Sequence, residues 1–259
     1  MRVLWSNRKI IALTTIVEMK KRYAGSTLGS LWLAFYPMLL LSMYLFIYLA
    51  VFKVKVSGIG TSFEYSLFVL AGIVPYLGFA EAVNNATVAL SANRHLISNV
   101  LIPMEIIPVR MVGVALLTQC ISLAILAFLM ICIGKLSLAW LFLPVALLME
   151  IFFLIGLGYI LACLGVILRD VVQVVAVGTL FLMFISPIGY TTEMVPDALR
   201  WVLYINPLWY IVDSFREPML YGRLPCWENL SLYFMITVFF FVAGCLMFKR
   251  MLTVVVDLS

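Results

Sequence analysis

The sequence predicts an all-α integral membrane protein with six transmembrane helices, an N-terminal amphipathic interface helix, and short re-entrant helices between the fifth and sixth spans. Three observations carry this prediction. Of 259 residues, 65% are hydrophobic and 11% charged, against roughly 45–50% and about 25% in soluble domains. The apolar residues fall into six runs of spanning length. The 39 residues 191–229 between the last two runs are neither plain loop nor span: they hold Pro196, Pro207, Pro218 and Pro225, frequent charges, and an apolar run at 201–205. Non-helical backbone at membrane depth is tolerated only where protein buries it or a water-filled cavity receives it, so this segment marks a pathway. The spans leave little room for a separate soluble domain, and residues 1–259 read as a single transmembrane domain.

The elements follow in order. Residues 1–27 mix apolar residues with Arg8, Lys9, Lys20, Lys21 and Arg22, and Ile10, Leu13 and Val17 share one helical face. This reads as a cytoplasmic interface helix, or as a positive anchor that only sets orientation. The apolar run at 10–17 leads into charges rather than a small-residue cleavage site, so no cleavable signal is expected. Residues 28–52 form the first span, rich in aromatics. Residues 65–90 form the second, broken by Gly72 and Pro75 and carrying Glu81, Asn84 and Asn85. Between residues 91 and 108, Pro103 and Pro108 act as helix breakers and bound a short helix at 96–102. Residues 109–133, 140–168 and 171–190 are the third to fifth spans, with Arg110 near one end of the third and Glu150 inside the fourth. Residues 230–248 are the sixth, followed by Lys249, Arg250 and a short tail.

Eleven of the 17 Lys and Arg fall on one side when both termini are cytoplasmic, which fixes that orientation. The net charge of +5 sits in short clusters beside apolar spans, which suits anionic lipid headgroups and not nucleic acid. The single His and the absence of paired Cys argue against a metal site. Gly134–Lys135 lacks the flanking residues of a phosphate-binding loop, and Ser186 lacks a nucleophile setting, so the chain alone is not an enzyme. Charges within spans are functional candidates by default, although Glu81 and Glu150 can also be protonated or hydrogen-bonded across helices. Trp32, Tyr36, Tyr44 and Tyr48 are spaced by multiples of four and cover half of one helix. Such rings offer flat apolar faces with polar tips, suited to sugars; Trp32 and Tyr48 alternatively sit in the interfacial belt.

Three motifs carry a family resemblance. Residues 18–32, Glu-Met-Lys-Lys-Arg-Tyr-Ala-Gly-Ser-Thr-Leu-Gly-Ser-Leu-Trp, with Pro37 after them, resemble the entry motif of type-2 ABC-exporter permeases that move bacterial surface polysaccharides. Phe184-Ile-Ser-Pro-Ile-Gly-Tyr190 resembles their fifth-span ending, and Ile205-Asn-Pro-Leu-Trp-Tyr-Ile-Val-Asp-Ser-Phe-Arg-Glu-Pro218 their loop motif. The Ala-Gly-Ser version of the first motif is more similar to O-antigen than to capsule exporters.

The resemblance implies a homodimer in the bacterial inner membrane above two ATPase subunits, which would bind the ATP and Mg while this chain binds no cofactor. The cargo would be undecaprenyl-linked polysaccharide, moved from cytoplasm to periplasm. The first and fifth spans would line a channel, with Trp32, Tyr36, Tyr44 and Tyr48 against the sugars. Segment 191–229 would form periplasmic gate helices, with Ser186, Pro187, Tyr190, Asn206 and Pro207 at the gate. Arg94, His95 and Asn99 would sit in a coupling helix on the ATPase. Arg216 and Glu217 are surface charges or part of the gate fold. Other cargoes, such as teichoic acid, capsule, a glycolipid or a drug, fit the same plan. A membrane enzyme acting on lipid-linked intermediates would need paired carboxylates or a metal motif on one inner face, and a proton-coupled carrier a series of carboxylates; neither pattern is present.

On this reading Arg94→Glu uncouples the two subunits. In proteoliposomes with the ATPase, hydrolysis continues while export falls about tenfold for each ~1.4 kcal/mol of lost contact. Unchanged coupling would exclude the assignment.

Overall fold

The computed structural model describes residues 5–52, 61–93 and 103–258. Among these residues every regular element is helical. In chain order they are α1 (Arg8–Arg22), α2 (Trp32–Phe46, continued by a wider turn at Ile47–Phe52), α3 (Ser62–Ala92) and α4 (Ile106–Cys132). Then come α5 (Leu143–Ile167), α6 (Val171–Ile185), α7 (Arg200–Ile205), α8 (Pro207–Arg216) and α9 (Trp227–Leu258). Five helical stretches are long and apolar enough to cross a membrane: Gly29–Ala50, Ser62–Ala92, Ile106–Cys132, Leu138–Ile167 and Trp227–Leu252. The expected coupling residues Arg94, His95 and Asn99, and the expected helix at 96–102, lie outside the described residues.

Several boundaries differ from the sequence expectation, each for a local reason. Helix α3 begins at Ser62 because Thr61 and Glu64 form a capping box. The Thr61 hydroxyl accepts from the Glu64 N–H at 3.2 Å, and the Glu64 carboxylate accepts from the Thr61 N–H at 3.1 Å. Pro75 does not break α3, which runs unbroken to Ala92. Pro108 does not stop a helix either: it sits in the first turn of α4, where the missing N–H has no intrahelical acceptor to lose. Helix α6 is 15 residues, short of the expected 20-residue span and of the ~20 residues a helix needs to cross. It ends because Pro187 holds Ser186 in an extended conformation, φ −74° and ψ 142°. Helix α9 starts three residues early and carries Lys249 and Arg250 within it rather than in a tail.

Helix α3 is the central rod. In its most apolar stretch 83% of the residues are buried, against 11% for the first span, so the bundle is built around α3 and α2 lies at its edge. Helices α4, α5, α6 and α8 all pack on α3, and α5 packs along α9. The core is aromatic at this junction: Phe79 of α3 stacks on Phe153 of α5, which meets Phe240 of α9 edge-on at 5.2 Å. Helix α1 leans on α4 through Thr15 and Met19. The apolar face predicted for α1 is therefore turned away from the bundle, with Ile10, Leu13 and Val17 exposed.

Small residues let α5 and α9 approach to backbone contact, the usual means of helix association in lipid. A methyl added at Gly156 would lie 2.3 Å from the Phe240 carbonyl oxygen, and one at Gly244 only 2.1 Å from the Gly156 oxygen. Gly156→Val should force the helices apart and destabilise the protein by about 1–3 kcal/mol. Thermal unfolding of the detergent-purified protein, followed by size-exclusion chromatography, measures this; an unchanged midpoint would contradict the packing.

Candidate functional site

The expected gate residues come together where α6 ends. The chain leaves the helix at Ser186 and runs non-helically to Tyr190, so these residues cannot bond along a helix and need other partners. Side chains supply them. Arg216 of α8 donates from Nη1 to the Pro187 carbonyl at 2.7 Å and from Nη2 to the Ile188 carbonyl at 3.0 Å. Tyr65 of α3 donates to the Gly189 carbonyl at 2.6 Å. Tyr190 turns back and donates to the Ile185 carbonyl. The Pro187, Ile188 and Gly189 carbonyls at the exit from α6 are thus satisfied by side chains.

Asn206 joins this unit to the following helices. Its side-chain oxygen caps α8 by accepting from the Leu208 N–H at 3.0 Å, and its amide donates to the Ser186 hydroxyl at 2.8 Å. Ser186 in turn donates to the Leu182 carbonyl at 2.6 Å. Pro207 follows as the first residue of α8, where its fixed φ suits a helix start. All five expected gate residues therefore belong to one connected assembly.

Arg216 is the member whose role the sequence left open. It is 7% exposed, and its guanidinium carbon lies 3.8 Å from the centre of the Phe68 ring. Gly72 leaves it room: a methyl there would meet Nη2 at 2.4 Å. Burial depresses the Arg216 pKa to about 10, which leaves it charged at neutral pH. Glu217 behaves differently, pairing with the exposed Arg223. Tyr65 and Phe68 had no sequence signal. A lone Arg inside the apolar face of α8, among Ile211, Val212 and Phe215, was the available clue to Arg216.

The four aromatic residues of the first span are not one exposed wall. Tyr48 meets Tyr65 edge-on at 5.5 Å, beside Gly189, and so belongs to the α6 exit. Tyr44 is half-buried against the core. Tyr36 is exposed and lines a cavity at the other end of α2, and Trp32 packs edge-on to Phe35 at 5.6 Å.

That cavity, of about 470 Å³, opens between α1, α2, α3 and α4. Glu81, Asn84 and Asn85 of α3 line it together with Gln119 and Ser122 of α4. Glu81 is paired with Arg22 of α1 at 2.6 Å. Glu150 is not isolated: it is fully buried and accepts from the Gln119 amide at 2.7 Å. Beyond the cavity, Arg110 faces Glu18 of α1 at 3.6 Å and donates to Asn93 at the end of α3. Arg22 and Arg110 thus tie α1 to two helices of the bundle.

A bundle of long apolar helices, interrupted by a side-chain-braced break and clasped by a charged N-terminal helix, defines a multi-pass membrane protein. The chain belongs to the ABC-2 type transporter family, whose model matches residues 11–220. It is 28% identical over 246 residues to the O-antigen export system permease protein RfbA of Klebsiella pneumoniae, covering 93% of this chain and 92% of that one. It is 27% identical over 233 residues to the RfbA of Myxococcus xanthus, covering 88% and 87%. It is 26% identical over 224 residues to the polysialic acid transport protein KpsM of Escherichia coli, covering 84% and 83%.

Arg216→Met should leave the Pro187 and Ile188 carbonyls unsatisfied and lower stability by roughly 2–4 kcal/mol, since hydrogen bonds to a charged group are worth about 1.5–3 kcal/mol each and are not additive. Arg216→Lys should recover only part, because one ammonium cannot reproduce the planar fork. Thermal unfolding checks both; wild-type stability in the Lys variant would contradict the two-carbonyl clamp.

Proposed function

We propose that this chain is the channel-forming membrane subunit of an ATP-driven exporter that moves lipid-linked polysaccharide, of the O-antigen class, from cytoplasm to periplasm. The observation that carries the reading is the similarity, along almost the whole chain, to permeases named for O-antigen export. The geometry supports it. Helices α2 and α6 are left largely uncovered in a single copy, with Phe46, Phe181 and Phe184 exposed. In a homodimer these two helices would face their counterparts and line the conduit. Residues 186–190 would complete the crossing begun by α6 and make the sixth span, so that both termini lie in the cytoplasm of a cell whose inner membrane holds the complex.

In this reading Trp32, Tyr36, Tyr44 and Tyr48 form a path along α2, not a wall. Rings spaced along a conduit hold sugar faces weakly and repeatedly, which lets a polymer slide. Ser186, Pro187, Tyr190, Asn206 and Pro207 form the periplasmic gate, braced by Arg216. Helix α1 lies in the interface with Ile10, Leu13 and Val17 outward. Arg94, His95 and Asn99 meet one of two ATPase subunits, which bind ATP and Mg. The ion pairs of Arg22 and Arg110 link α1 to α3 and α4, giving a stroke from the ATPase a route into the bundle.

Depletion of the protein in its native cell tests the proposal. Lipid-linked polymer should accumulate on the cytoplasmic side and disappear from the surface, and its chemistry would distinguish O-antigen from capsule or teichoic acid. Normal surface glycan without internal build-up would overturn the polysaccharide reading.

A further inference from the structure

The cavity between α1, α2, α3 and α4 has a polar end at which several side-chain hydrogens are committed within the protein, although Arg22 and Asn85 also line it. Asn84 donates its amide hydrogens to the Ala80 carbonyl at 2.8 Å and the Thr179 hydroxyl at 3.3 Å. Thr118 donates to the Val114 carbonyl at 3.2 Å, and Ser122 to the Thr118 carbonyl at 3.0 Å. Gln119 spends its amide on Glu150 at 2.7 Å. Acceptor oxygens remain on all four of these side chains, and Gln119 keeps a second amide hydrogen. The Gln119 oxygen is buried without any partner among the described residues, in a side chain only 2% exposed. A buried acceptor of that kind costs about 1–3 kcal/mol until something donates to it.

Charge narrows the ligand further. Glu81 would attract a cation, but Arg22 neutralises it at 2.6 Å. A phosphate brings acceptors and negative charge, the opposite of what this end lacks. The remaining wall is apolar, formed by Pro37, Leu40, Leu41, Val74 and Leu77 with the Tyr36 ring. A neutral group dense in hydroxyl donors on its rim, with a C–H face to lay on apolar side chains, fits both halves.

We propose that this cavity is a docking site for a single sugar ring of the polymer, at the α1 end of the bundle and separate from the α6 exit. The inference rests on the export reading above, and it assigns to Asn84, Thr118 and Ser122 the recognition of sugar hydroxyls. It also gives Tyr36 a different task from Tyr44 and Tyr48: Tyr36 closes the apolar side of the pocket.

Photocrosslinking in the native cell tests the site. p-Benzoylphenylalanine is placed at Leu40 in the cavity, at Tyr44 outside it, and at the exposed Leu246 of α9 as control. Irradiation should give a ladder that stains for glycan at Leu40 and Tyr44 and none at Leu246. Combining the Leu40 probe with Thr118→Val and Ser122→Ala removes two acceptors and should lower its glycan adduct about tenfold, with the Tyr44 adduct unchanged. Adducts at Leu40 that are phospholipid only, or none, beside a glycan ladder at Tyr44 would overturn the docking site and leave export standing. An undiminished Leu40 ladder in the double variant would overturn recognition by these acceptors. Absence of a ladder at both positions in exporting cells would overturn both readings.

Discussion

The fork of Arg216 on the carbonyls of Pro187 and Ile188 is the interaction on which the rest of the architecture depends. In hydrocarbon every backbone polar group must find a partner within the protein, and each one left bare costs several kcal/mol. A chain that abandons its helix at Ser186 therefore cannot persist unless donors come from elsewhere. Arg216 brings two of them, Tyr65 brings a third, and Asn206 fastens the turn to α8. Placing a guanidinium there has its own desolvation cost. The Phe68 ring and the space at Gly72 accommodate it, and the carbonyls serve as its acceptors. The end of α6, the start of α8 and the first half of α3 are thus one mechanical unit: moving any of them breaks hydrogen bonds made by the others.

Helix α3 carries that unit to the opposite end of the bundle. Its first half holds Tyr65, Phe68 and Gly72 against the α6 exit; its second half holds Glu81 on Arg22 and ends at Asn93 on Arg110. A buried helix of 31 residues transmits displacement better than any loop could, because bending it would open cavities in a close-packed core. The partly exposed pair of Arg22 and Glu81 is a weak fastening by comparison with the Arg216 clamp. That asymmetry suits a device in which α1 can be shifted while the braced break keeps its internal hydrogen bonds.

Much of this was legible in the sequence, and what was missed follows a pattern. Hydropathy located five long helices because an apolar run needs no knowledge of its neighbours. Boundaries were less legible where a proline was read as a stop. Pro75 lies inside a helix held by packing on both sides, and Pro108 lies in a first turn that has no bond to lose, so neither interrupts anything. Pro187 does end a helix, and that shortened α6 below spanning length. The Thr61 and Glu64 capping box was visible as a pattern and would have placed the start of α3. Ser186, Pro187, Tyr190, Asn206 and Pro207 were singled out through family motifs, and their proximity could not have been read from spacing. Arg216 stayed open between a surface charge and part of the gate fold because an Arg beside Glu217 can form a solvated pair. The apolar residues around it on α8 were the signal that it faces inward, and Gly72, distant in sequence, makes room for it.

Buried polar groups in this bundle divide into two kinds, and the division is informative. At the α6 exit each carbonyl from Pro187 to Gly189 has its hydrogen and Asn206 uses both ends of its amide, while the Arg216 Nε–H is buried without a partner among the described residues. Most of this network's hydrogen bonds are spent on its own backbone, which holds its shape. Around Gln119 the match fails. Several donors are consumed on helix carbonyls and on Glu150, the oxygens of Asn84, Thr118 and Ser122 belong to side chains that line a cavity, and the Gln119 oxygen is buried without a partner among the described residues. Burying such atoms without a partner lowers stability, and an apolar side chain at Gln119 would remove that unmet acceptor, although it would also strand Glu150. The unmet acceptors are best understood as addressed to something the single chain does not contain. Shape is enforced where the backbone breaks, and hydrogen-bonding capacity is held open where a hydroxyl-rich cargo would first meet the bundle.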